Sequence, residues 1–131
     1  MNKIEVNEEK RIYVVVPVTV TGQKGVVKQP LGRQAAQAVH VVSKMRVLRE
    51  AKDLQTWLPI TTIILAARDQ KETEHVWTLL KRRNIDVTHF ADSNPDYGVM
   101  HLVTAICTEP IYKKGAEGVL DYLPLWPGEQ K

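Results

Sequence analysis

Two short runs of apolar, largely β-branched residues constrain this chain more than any other feature. One covers residues 11–20 (RIYVVVPVTV) and the other residues 60–67 (ITTIILAA). Nearly continuous hydrophobicity over so short a length suits strands covered on both faces, and such strands belong to sheets with helices above and below. Residues 33–52 between them read as a helix. A crossover helix of that kind makes a parallel strand pair the expected arrangement. Pro17 has no amide to give to a ladder, so regular pairing should end or bulge there.

A second helix is expected directly after the second strand. Asp69 and Glu72 stand at the spacing of a capping box, with Asp69 able to accept from the first-turn amides. Val76, Trp77, Leu79 and Leu80 form its apolar side, and Lys81, Arg82, Arg83 and Asn84 close it. Cations complement a helix C-terminus and asparagine is a good stop, so capping competes with a nucleic-acid contact as the role of this basic cluster. Residues 86–91 and 101–108 read as strands three and four, joined by a dense turn at 92–98 and expected to pair antiparallel. A short last helix around 113–122 is weakened by Gly115 and Gly118, and Trp126 is expected to hold the chain end against the body. Residues 21–30, with two glycines, Lys24, Lys28 and Pro30, read as a loop at the carboxyl end of a strand, where open α/β proteins place ligands. The fold class is therefore α/β, in three layers (α/β/α) around a mixed sheet of about four strands.

At 131 residues the chain is long enough for one domain with its own core, residues 1–10 and 124–131 being peripheral. Its one cysteine, Cys107, lies in an apolar run and reads as a buried small hydrophobe, with no base in view to make it a nucleophile. The lone thiol implies a reducing compartment, and a charged N-terminus without a long apolar run points to a cytoplasmic protein without membrane contact. His40, His75, His89 and His101 lie at no metal-ligand spacing, and no dinucleotide or Walker fingerprint occurs, so neither metal nor cofactor is expected. No serine sits on a nucleophile elbow, which argues against acyl-enzyme chemistry. The net charge of +3 suits nucleic-acid contact without requiring it.

The chemistry concentrates at the start of the first helix. At about 100° per residue, Arg33, Gln37, His40 and Lys44 fall on one side, while Ala35, Ala38, Val39 and Val42 fall on the other, which is expected to be the core side. The polar side opens at a helix N-terminus, where unpaired amides, the helix dipole and Arg33 favour a phosphate or an oxyanion.

Gly32-Arg33-Gln34-Ala35-Ala36-Gln37-Ala38-Val39-His40 resembles the Gly-Lys-hydrophobic-Ala-Ala-Gln-x-x-His pattern that opens the first helix of type II peptidyl-tRNA hydrolases. Residues 92–110 resemble a second stretch of that family, which starts Asp-Ala-Gly and ends on a strand like Val103-Thr104-Ala105-Ile106-Cys107-Thr108-Glu109-Pro110. The resemblance covers about residues 11–120 and implies hydrolysis of the ester between a peptide and the terminal ribose of tRNA. It implies Asp92 as an active-site residue, with Arg33 keeping the charge of the family's lysine beside it as the catalytic pair, and Gln37, His40 and Asn94 around the substrate. Lys24 or Lys28, from the loop before the helix, could fold back into the place of the missing ammonium. Lys44, Lys81, Arg82 and Arg83 are the candidate contacts to the tRNA backbone. The family habit, together with Trp57 and Trp126, suggests a homodimer. The family's active-site lysine corresponds to Leu31 here, the lysine after the glycine to Arg33, and the second signature glycine to Asn94. Asp96 and His101 replace a threonine and a glycine of the following loop. These departures keep open an alternative: a non-catalytic member of the same fold that binds RNA, a small anion or a protein partner.

Overall fold

The computed structural model describes residues 9–22, 25–53, 61–94 and 99–128, and their side chains except at 50–53, 92–94 and 99–102. The elements run in the order β1 (Arg11–Pro17), β2 (Thr19–Gly22), β3 (Gly25–Lys28), α1 (Leu31–Asp53), β4 (Thr61–Ala67), α2 (Gln70–Arg82), β5 (Val87–Asn94), β6 (Val99–Thr108) and α3 (Lys113–Ala116). Four strands form one mixed sheet in the order β4-β1-β6-β5. β1 and β4 pair in parallel from Arg11↔Thr61 to Pro17↔Ala67, as a crossover through α1 requires. β6 runs antiparallel to β1 (Val14↔Cys107) and to β5 (Val87↔Thr108), with irregular register between Phe90 and Ala91 and between Asp92 and Asn94.

Central β1 explains its continuous hydrophobicity. Its even positions, Ile12, Val14 and Val16, bury against Ala38, Val41 and Met45 of α1. The odd positions, Tyr13 and Val15, bury against Val76 and Leu80 of α2 and against Leu120 of the C-terminal turns. Strand side chains alternate in direction, so one strand supplies both cores and each helix seals one face. Cys107 is buried on the α1 side, and desolvation pushes its thiol up to about 12, which leaves it inert. No helix of the described residues is long and apolar enough to cross a membrane.

The second helix and its cap form as expected. The Glu72 amide donates to Asp69 Oδ1 at 2.9 Å, and the Glu72 carboxylate accepts from the Arg68 amide at 2.9 Å. Asn84 takes a left-handed φ of 59° past the helix end. The last helix is shorter than expected, a single turn ended by non-helical Glu117 and by Gly118 at φ 78°. The outer edge of β4 is covered by the chain end, with Ala66 N donating to Pro124 O at 2.9 Å and Trp126 N to Ile64 O at 2.8 Å.

Three local expectations are corrected. Residues 21–30 are not simply a loop: β2 and β3 form a two-stranded ribbon in register Val20↔Val27 and Gly22↔Gly25. β1 ends at Pro17 as its missing amide demands, and the β-branched residues beyond it pair with Val26 and Val27 instead. Gly25, at φ 96°, makes the turn-side conformation that a side chain would resist. Next, β5 continues through Asn94, so Asp92 stands in a strand paired with Leu102 and not in a turn; residues 95–98 lie outside the described residues. Finally, α1 buries Gln34, Gln37, Ala38, Val41 and Met45, whereas Val39 is 64% exposed. Apolar residues occur all round the first half of α1, so their period alone does not single out a face.

Candidate functional site at the carboxyl end of the sheet

Glutamines that no motif singled out hold the start of α1. Gln29 is buried; its amide N–H donates to Val18 O at 2.9 Å and its Nε2 to Pro17 O at 2.8 Å. Gln34 is buried too, with Nε2 donating to Gln29 O at 2.7 Å and Oε1 accepting from Trp126 Nε1 at 2.9 Å. These bonds tie the carbonyls of Pro17 and Val18, the helix start and the chain end into one unit. The available signal was two glutamines flanking a proline–glycine junction between strand and helix, where carbonyls freed from the sheet need donors. The first helical bond is Gln34 N to Pro30 O at 3.0 Å, so the amides of Leu31, Gly32 and Arg33 precede the helical ladder.

From this anchor α1 descends along β5 in the opposite direction. Its Arg49 meets Asp86 at 3.2 Å and Glu109 at 3.5 Å. Lys44 Nζ donates to His89 O at 2.9 Å, and His40 stacks on Phe90 with ring centroids 4.8 Å apart. Nine helical residues from 49 to 40 rise about 13 to 14 Å, and four strand residues from 86 to 90 also span about 13 Å, so the two elements keep in step. β5 continues past Phe90 through an irregularity to Asn94, so the Asp92 backbone lies toward the N-terminal half of α1. The α1 N-terminus, the end of β5 and the base of the β2–β3 ribbon thus share the carboxyl end of β1.

Around this end, Leu31 is half-exposed at the first helical position. Arg33 is half-buried and is not a free cation. Gln37 is buried beneath the helix, not on an open polar face. His40 and Lys44 are exposed along β5, where Lys44 covers a strand-edge carbonyl and so blunts an edge that would otherwise invite pairing. Lys28, at the end of β3, is exposed and forms no ion pair among the described residues. Lys24 lies outside the described residues, and for Asp92 and Asn94 the backbone alone is described.

The basic cluster after α2 sits apart from this end. Since α2 starts beyond the carboxyl end of β4 and descends the opposite face, Lys81, Arg82 and Arg83 fall at the far end of the sheet. Arg83 Nη1 donates to Gly115 O at 3.0 Å and Glu117 O at 2.6 Å, binding α2 to the C-terminal turns. Lys81 lies over Trp77 at 5.0 Å from the ring centroid, and Trp77 packs on His89 at 4.9 Å. Burial, then the charges of Lys44 and Lys81, hold the His89 imidazole below its ordinary pKa of 6.5, so it is neutral at neutral pH. Arg82 is exposed.

No three His, Cys, Asp or Glu side chains come together at metal-binding range among the described residues. No protein-family model matches the chain, and no curated protein matches it. The α1 N-terminus and the end of β5 lie toward the same end of the sheet.

Proposed function

We propose that the chain hydrolyses the ester of peptidyl-tRNA or N-blocked aminoacyl-tRNA and releases free tRNA, as a divergent three-layer fold of the type II peptidyl-tRNA hydrolase kind. The observation that carries this reading is the in-step, opposed run of α1 and β5, which brings the Asp92 strand end toward the N-terminal half of α1. Asp92 orients the attacking water. The first amides of α1 and the Arg33 guanidinium stabilise the oxyanion as it forms, the guanidinium as a charged donor. Exposed Lys28 and Lys44 contribute to holding the tRNA backbone. In this reading the protein works in the cytoplasm as a homodimer on tRNA.

The test is release of tRNA from purified N-acetyl-aminoacyl-tRNA. Asp92→Asn is expected to abolish release while leaving thermal unfolding unchanged, and Arg33→Gln to slow it about 10² to 10³-fold, the usual cost of one oxyanion donor. Full activity in Asp92→Asn would rule the assignment out.

A second reading, binding of RNA, a small anion or a protein partner without turnover, is favoured by one observation. Leu31 offers only a half-exposed apolar side chain at the helix start. tRNA retention that weakens steeply with salt, without release, would select this alternative.

A further inference from the structure

On the face of the sheet opposite α1, the start of β1, strand β4 and the C-terminal turns enclose a hollow of about 430 Å³. Its size lies within the range of roughly 300 to 1,000 Å³ typical of small-molecule sites. The floor is apolar, built from Ile63, Leu65, Leu120 and Leu123. Tyr13 lines it as well. This residue is only 6% exposed, and its amide donates to Thr108 Oγ1 at 3.0 Å. Its hydroxyl has no hydrogen-bond partner among the described residues and is not among the buried orphan atoms, so it is open to the hollow. The rim carries two cations, Arg11 and Lys113, and two anions, Glu117 and Asp121, yet no ion pair forms among the four. Asp121 spends one oxygen on the Gly118 amide at 3.0 Å and keeps the other.

We propose that this hollow binds a small zwitterion with an apolar body, such as a free aromatic or branched amino acid. The carboxylate goes to Arg11 and the Tyr13 hydroxyl, the ammonium to Glu117 and Asp121, and the side chain to the leucine-rich floor. A ligand of one sign is disfavoured because it meets one half of the rim with like charge. The hollow and the α1 end lie on opposite faces, so the proposal stands apart from the hydrolase reading.

Titration of the ¹⁵N-labelled full chain with L-phenylalanine and L-leucine tests it. Saturable shifts of the Tyr13, Leu65 and Leu120 amides are expected, with 3-phenylpropanoate and phenethylamine at least about tenfold weaker. Tyr13→Phe keeps the ring in the core and is expected to weaken L-phenylalanine about tenfold. The proposal is overturned by the absence of saturable shifts with both amino acids up to about 10 mM, by equal binding of the singly charged analogues, or by unchanged affinity in Tyr13→Phe.

Discussion

Helix α2 starts on Asp69, whose side chain accepts from the Glu72 amide, and buries Thr73, Val76 and Leu80 at intervals of three and four. Helix α1 has no acidic residue in its first turn, buries two glutamines and turns Val39 to solvent. Both cover a face of the same sheet. For α2 the cap and the apolar stripe are local and agree, so the helix carries its own orientation. α1 takes its orientation from bonds to residues outside the helix: Gln34 to Gln29 and Trp126, Lys44 to His89, and Arg49 to Asp86 and Glu109. A helix with several apolar faces can be docked by a few well-placed polar groups, since any of those faces meets the area requirement about equally.

That contrast can be broken by substitution. The largest expected loss is in α2: Leu80→Ala empties a fully buried site and is expected to cost about 2 to 5 kcal/mol in denaturant unfolding. Next comes Gln34→Leu. It keeps the volume but strands the Trp126 indole N–H and the Gln29 carbonyl, for a loss of about 2 to 3 kcal/mol measured the same way. If Gln34→Leu were neutral, the polar docking of α1 would be wrong, because apolar burial alone would be holding it. Asp69→Ala removes one cap bond and is expected to cost about 1 kcal/mol. Smallest of all is Val39→Lys, expected to change stability by less than about 0.5 kcal/mol by thermal unfolding. A loss of several kcal/mol there would mean that α1 presents Val39 to the core after all.

Much of the frame was legible because it depends on short-range physics. The run 11–20 announced a strand buried on both faces; its residues 11–17 are central β1, Pro17 ends it for want of an amide, and residues 19–20 pass into β2. The Asp69–Glu72 cap, the Asn84 stop, the parallel β1–β4 pair and the antiparallel β5–β6 pair followed from spacing and connection length. Residues 21–28 read as loop in the sequence because glycine punctuates turns, whereas in the ribbon the pairing of Val20 with Val27 makes use of Gly22 and Gly25 at the turn. For the candidate site, spacing brought Arg33, Gln37 and His40 onto one helix, but not Gln37 into the interior, nor Gln29 and Gln34 into the joint that holds the helix start.

The sequence by itself determined the four strands of the main sheet and its two long helices, where α2 begins and ends, and that β1 and β4 run parallel, since each depends on groups within a few residues or on the length of a connection. Only the tertiary structure decided which side of α1 faces the sheet, which glutamine amides replace missing sheet partners, and that Lys81, Arg82 and Arg83 lie at the far end from Asp92. Those outcomes rest on hydrogen bonds between residues up to 92 positions apart, and neither propensity nor periodicity reports on a partner so distant in the chain.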